Sequence, residues 1–116
     1  MTRQPTPDVS HQDVERIVAR DFAPEQVQQV RTLIDGFQFY RSPRIILACL
    51  KNAAGSLKKL KQELKLAALD WRDVIVSAEY PGFATVMHHA GDLSDDERTA
   101  IYDQDWQQYS DWLHAD

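Results

Sequence analysis

The sequence predicts an all-α protein, a compact five-helix single domain built around a helical hairpin at about residues 43–54 and 57–79. Apolar side chains recur at helical spacing through most of the chain, and serine or proline stands where several of these runs begin. No stretch of useful length alternates between apolar and polar residues, as a half-buried strand would. With 116 residues and 43% hydrophobic content, one domain with a single core is expected.

The first residues have little to bury. Residues 1–9 contain Pro5 and Pro7, which predicts a disordered N-terminal tail ahead of one helical domain at residues 10–116.

Two helices are expected next. Ser10 and Asp13 have the spacing of a capping box, which predicts a helix over about residues 11–21. Pro24 is suited to open a second helix, and Gly36 is its natural end. The apolar stripes of the two helices are Val14, Ile17, Val18 and Phe22, then Val27, Val30, Leu33, Ile34 and Phe37.

The hairpin follows from the longest periodic apolar pattern in the chain. Ser42 is a suitable N-cap, and Pro43 fits the first helical position, where a missing N–H costs nothing. Gly55 can adopt the left-handed conformation that closes this helix, and Ser56 can cap the next. The stripe of the long second helix is Leu57, Leu60, Leu64, Ala67, Trp71, Val74 and Ala78.

The second half of this long helix has a wider apolar surface, because five more apolar residues flank the stripe: Leu66, Ala68, Leu69, Ile75 and Val76. We expect other helices to enclose it. Four charged residues crowd its end: Asp70, Arg72, Asp73 and Glu79. Since an arginine stands among the acids, an ion-pair network is expected rather than a carboxylate pair for acid–base catalysis.

The last part of the chain contains one clear helix. Pro81 ends the long helix, since the residue before a proline avoids helical geometry. Residues 82–93 have no readable pattern. Ser94 and Glu97 form a capping box, and a helix to about Leu113 follows.

Three features favour a cytoplasmic protein that is not in a membrane. The N-terminus lacks the apolar core of a secretory signal. The longest apolar run, residues 45–50, has six residues, whereas about 20 are needed to cross a bilayer. The single cysteine, Cys49, lies in this run, so an intramolecular disulfide is excluded and a reducing compartment is favoured.

Charge is segregated along the chain, although the net charge is only −5. Residues 41–65 carry seven Lys or Arg and one Glu, whereas residues 92–116 carry eight Asp or Glu and one Arg. Such segregation indicates a partner for one patch. Alternatively, the acidic C-terminal helix lies near the basic helix and the two fields partly cancel. The candidate partner-binding face is Arg44, Lys51, Lys58, Lys61 and Lys65.

The predicted function is a non-enzymatic protein-interaction or regulatory module with an unknown protein partner. An alternative is a nucleic-acid-associated regulator, in which Lys58, Lys61 and Lys65 follow the phosphates. This alternative is less favoured because the chain is acidic overall. Lys51 also stands four residues before Gly55, where a helix-turn-helix needs a small packed residue.

A further alternative is a metal-binding or enzymatic protein that uses His88 and His89. No HxxxH, HExxH or ExxH spacing is present, and adjacent histidines usually point in different directions. The simpler interpretation is a loop with two partly exposed histidines. Because no nucleophile motif or phosphate-binding glycine loop occurs, the sequence predicts no catalytic residue, metal or cofactor.

The last helix carries aromatic residues at intervals of three, namely Trp106, Tyr109 and Trp112. Such residues usually dock a terminal helix onto its own core. They also dominate the hot spots of interfaces, so they are a candidate aromatic anchor for a partner. In that case a homodimer is an alternative.

Four motifs stand in order within about residues 43–113: GSLKKL, DWRDVI, AEYP and DWQQYSDWL. In this combination the chain resembles a group of small, uncharacterised, all-helical bacterial proteins with a glycine-hinged helical pair. Ser56 stands where that group is expected to have an aspartate cap, and serine can serve the same purpose. The resemblance implies a bacterial, helical, single-domain protein and no catalytic residues.

Overall fold

The computed structural model describes residues 6–116, apart from the side chains of residues 88–90. The helices of this part are α1 (His11–Asp21), α2 (Pro24–Asp35), α3 (Pro43–Ala53), α4 (Leu57–Glu79), α5 (Pro81–Ala84) and α6 (Asp95–His114). A 3-10 helix, Met87–Asp92, precedes α6. Residues 6–116 contain no strand, so the predicted all-α class is confirmed. There is one helix more than the predicted five, because Pro81 begins a separate turn, α5.

The predicted N-terminal tail at residues 1–9 lies partly outside the described residues. Within the described part, Pro7 is buried and Val9 packs against the core. The chain is therefore already in contact with the fold before α1 begins.

The core is centred on α3, which is buried nearly all round and packs against α4 and α1. Ser42 Oγ accepts a hydrogen bond of 3.3 Å from the N–H of Ile45 at the start of α3. Ser56 Oγ accepts one of 3.2 Å from the N–H of Lys59 at the start of α4. The fully enclosed side chains of α3 are Ile46, Leu47, Ala48, Cys49, Leu50 and Ala53.

The long helix α4 is broken at Asp70, where φ is −153° and ψ is 90°. Asp70 Oδ1 accepts a hydrogen bond of 3.1 Å from the N–H of Arg72, as the side chain of an N-cap does. The expected ion-pair network at this end of α4 is wrong. Glu79 pairs with Arg44 of α3, and the Arg72 guanidinium lies 5.6 Å from the ring centre of Trp71.

The two halves of α4 converge on Asn52 of α3. Asn52 Nδ2 donates to Glu63 Oε2 at 3.3 Å and to the Val74 carbonyl at 3.2 Å. In a straight helix the Cα atoms of Glu63 and Val74 would be about 16 Å apart. Since one nitrogen of Asn52 bonds to both residues, the helix axis must bend at the break. The expectation that other helices enclose the wider apolar surface is wrong for Leu66, which is 42% exposed, and for Leu69, which is 87% exposed. Ile75, beyond the break, is buried.

The last helix is fixed at both of its ends. Ser94 and Glu97 form the predicted capping box, with N–H to oxygen distances of 3.0 and 3.1 Å. Near the other end, Arg20 Nη1 of α1 donates to the carbonyls of Trp112 at 2.6 Å and Ala115 at 2.8 Å. Within the described residues, no helix has the length and apolar character needed to span a bilayer.

Candidate functional site

The first residue of the predicted basic face, Arg44, points into the fold. Its Nε donates to Glu79 Oε2 at 2.9 Å, and its Nη2 donates to Glu79 Oε1 at 2.8 Å. Nη2 also lies 3.0 Å from the hydroxyl of Tyr80. The hydrogen bonds to Glu79 raise the pKa of Arg44 despite partial burial. Because its Nε and Nη2 bond inside the protein, Arg44 has only part of its guanidinium left for a partner.

Lys51 is also turned towards the inside. It is half-buried, and burial lowers the pKa of its amine, although attraction to Asp105 opposes that shift. Asp105 is itself buried and accepts hydrogen bonds from the N–H groups of Gly82 at 2.7 Å and Phe83 at 2.9 Å. Arg44 of α3 thus pairs with an acid of α4, and Lys51 of α3 is attracted by an acid of α6.

The three lysines of the predicted face that belong to α4 remain at the surface. Lys58, Lys61 and Lys65 are all exposed, and none forms an ion pair with another residue of the described chain. The structure therefore divides the predicted five-residue face into an internal pair on α3 and an exposed group on α4.

Two of these lysines border an apolar groove with a volume of about 470 Å³, here called the α2–α4 groove. One wall is a single face of α4, with residues at i, i+3, i+4 and i+7: Lys61, Leu64, Lys65 and Ala68. The other wall is formed by the end of α2 and the following turn: Leu33, Gly36, Phe37 and Gln38. Lys58 does not line it.

The apolar side of the groove is held in place by neighbouring rings and by the core. Phe37 packs edge-on against Phe39, with ring centres 5.6 Å apart. Phe37 and Leu64 both belong to the buried core. The lysines can be predicted from the sequence, but this wall cannot. Phe37 fits the apolar stripe of α2 like any core residue, and Leu33 and Ala68 are far apart in the chain.

The predicted aromatic anchor on α6 is also divided. Tyr109 is 2% exposed, and its ring centre lies 5.5 Å from that of Trp112. Trp112 is partly buried beneath the guanidinium of Arg20, at 5.3 Å. Trp106 is 39% exposed. Two of the three aromatic residues therefore attach α6 to its own core, and Trp106 alone is largely available at the surface.

The remaining candidate residues are Cys49 in the core and the two adjacent histidines. Burial raises the pKa of the Cys49 thiol to about 12, assisted by the charge of Glu63, so this thiol is protonated at neutral pH. His88 and His89 belong to the 3-10 helix, and their side chains lie outside the described residues. Among the described residues, no group of three His, Cys, Asp or Glu could hold a metal ion.

Comparisons of this chain with models of protein families, with curated proteins and with solved structures find no match. The resemblance to small bacterial helical proteins therefore stays a prediction. Function has to be argued from the groove, its charges and the surfaces around it.

Proposed function

We propose that this chain is a non-enzymatic protein-interaction module whose α2–α4 groove holds an acidic, amphipathic segment of a partner protein. The observation that carries the proposal is an apolar groove of about 470 Å³ bordered by two exposed lysines, Lys61 and Lys65, that have no ion-pair partner in the described chain.

The shape and charge of the groove favour a helical ligand. Amphipathic helices commonly bind by placing apolar side chains at i, i+3 or i+4 and i+7 in a hydrophobic groove. Phe37 and Leu64 form the nearly buried floor of the groove, and Leu33 and Ala68 provide apolar surface that is still accessible. Each Å² of apolar area that a ligand removes from water contributes about 25 cal/mol to binding. Acidic residues on the edge of the ligand would meet Lys61 and Lys65, which selects against a basic segment.

A heterologous partner fits this groove better than a second copy of the chain. The acidic helix of another copy would be α6, which exposes one large apolar side chain among the described residues, Trp106, at 39%. The exposed residues at helical spacing beside it are polar or small: Ala100, Asp103, Gln107 and Asp111. A single apolar side chain would leave most of the groove unfilled.

The test uses a fluorescent helical peptide with leucines at i, i+3 and i+7 flanked by glutamates, beside a twin with lysines in place of the glutamates. We expect the acidic peptide to bind and its twin to bind at least about tenfold more weakly, which corresponds to about 1.4 kcal/mol. The paired change Lys61→Glu and Lys65→Glu should remove binding. Lys58→Glu is the matched control, since Lys58 is equally exposed on α4 but outside the groove.

A steric variant tests the groove independently of charge. Gly36 lines it with φ of −86°, and a Cβ there would lie 3.6 Å from the Thr32 carbonyl, an ordinary contact. Gly36→Leu should therefore fold and still block the peptide. If Lys58→Glu and Lys61→Glu reduce peptide binding equally, and if an oligonucleotide binds with a steep dependence on salt, the nucleic-acid alternative is favoured instead.

A further inference from the structure

A second cleft is lined by the N-terminal segment and α6. Residues 6–9 have no regular secondary structure, yet Pro7 is buried. On one side, Pro7 borders a small cavity of about 10 Å³ with Tyr80, Tyr102, Trp106 and Tyr109. On the other side, it borders one of about 160 Å³ with Trp106, Tyr109, Ser110 and Leu113. We call this surface the aromatic cleft (Tyr80, Tyr102, Trp106, Tyr109 and Leu113).

Tyr109, which lines both cavities, has an unused hydrogen-bonding group. Its hydroxyl is buried and has no hydrogen-bond partner within the described part of the chain, although Glu79 also lines the smaller cavity. A buried polar group without a partner costs about 1–3 kcal/mol, so an acceptor placed here by a ligand would be favourable. The residue is otherwise fixed, because its ring packs against Trp112.

An extended proline-containing peptide has the complementary chemistry. In the polyproline II conformation no backbone carbonyl is used internally, so each is free to accept a hydrogen bond from a hydroxyl such as that of Tyr109. Proline rings pack on aromatic side chains, and aromatic-lined grooves bind such segments with a small loss of conformational entropy. Pro7 is buried and lines both cavities together with Trp106 and Tyr109.

We propose that the aromatic cleft is a binding site for an extended, proline-rich segment of a partner protein, and that residues 6–9 of the chain occupy it until the partner replaces them. The site is separate from the α2–α4 groove. Because the internal segment is tethered, its effective concentration is about millimolar, so a competing peptide must bind in place of it. A change that weakens the binding of residues 6–9 to the aromatic cleft should therefore strengthen the binding of a partner's peptide.

The test measures binding of fluorescein-labelled octaproline to the full chain, with a glycine–serine peptide of equal length as the control ligand. Pro7→Gly removes the buried ring, and we expect it to bind octaproline at least about tenfold more tightly than the native chain. Thr6→Gly is the matched control, since Thr6 is exposed and the change loosens the backbone without removing that ring. Adding Trp106→Ala to Pro7→Gly should abolish the gain, and adding Tyr109→Phe should reduce it.

The proposal is overturned if Pro7→Gly unfolds cooperatively like the native chain and still binds octaproline no better than Thr6→Gly. It is also overturned if the gain survives Trp106→Ala. Nuclear magnetic resonance on the native chain gives a test that needs no variant. Excess octaproline should shift the indole signal of Trp106 and leave that of Trp71, which is similarly exposed at 37% against 39%. Equal shifts, or none, contradict the assignment.

Discussion

Arg44 and Glu79, 35 residues apart in the chain, form a bidentate ion pair with hydrogen bonds of 2.9 and 2.8 Å. Glu79 is 2% exposed, whereas the side chain of Arg44 is 31% exposed. The pair joins α3 to the part of α4 beyond the break at Asp70. It therefore holds in place the segment that leads to α5 and α6.

Removing one member of this pair is expected to destabilise the protein strongly. Arg44→Met leaves the Glu79 carboxylate buried without its partner, which should lower the free energy of unfolding by about 3 kcal/mol. The double change Arg44→Met and Glu79→Leu should cost less than the sum of the single changes. Urea unfolding of the four chains measures this coupling.

The matched comparison is the exposed pair Arg31 and Glu15, at 2.6 Å, which should contribute no more than about 1 kcal/mol. Equal coupling energies in the two cycles would contradict the argument.

The link between α3 and α4 predicts opposite effects at two neighbouring positions. Ala54 and Gly55 have φ of 50° and 81°, both in the left-handed region. Ala54→Gly should stabilise the protein by about 0.5 kcal/mol, because the relief of backbone strain exceeds the added freedom of the unfolded chain.

Gly55→Ala should instead destabilise by more than about 1 kcal/mol. Besides its positive φ, a Cβ at Gly55 would lie 2.7 Å from the carbonyl oxygen of Asp21 in α1. The midpoints of thermal and urea unfolding measure both changes. A stabilising Gly55→Ala would show that α1 and the link are not packed as described.

The two capping boxes predict how stability changes in acid. Partial burial would raise the pKa of Asp13, but hydrogen bonds from Ser10 and Arg16 outweigh it and lower the pKa below 3.8. The N–H of Ser94 lowers the pKa of Glu97 below its usual 4.5. A carboxyl group with a lower pKa in the folded protein stabilises it fully above the unfolded pKa. That contribution is lost as the pH falls through the folded pKa.

Asp13→Asn and Glu97→Gln should therefore be less stable than the native chain at pH 6, and the differences should shrink between about pH 4.5 and pH 2. Urea unfolding across this range is the measurement. Asp103→Asn, at an exposed position of α6 outside the capping box, is the control and should change little at any pH. Differences that grow in acid would mean that these carboxyl groups do not cap their helices.

Local chemistry allowed much of the helix layout to be predicted. Ser42, Ser56 and Ser94 each accept a hydrogen bond from an N–H three residues ahead, so the start of a helix depends on a few adjacent residues. The predicted hairpin at about residues 43–54 and 57–79 closely matches the observed α3 and α4 for this reason. The break at Asp70 was missed, since an aspartate followed by aromatic and charged residues also fits the interior of a helix.

Local sequence patterns are sufficient for the all-α class, the capped helix starts and the presence of a basic and an acidic segment. Which charges are free depends on the packing of distant segments. Arg44 and Lys61 both count as basic residues in a sequence pattern. Arg44 pairs with Glu79, 35 residues further along the chain, whereas Lys61 forms no ion pair with an acid of the described chain. The α2–α4 groove and the aromatic cleft likewise exist only where distant segments meet, because shape and burial depend on those contacts and not on neighbours in the chain.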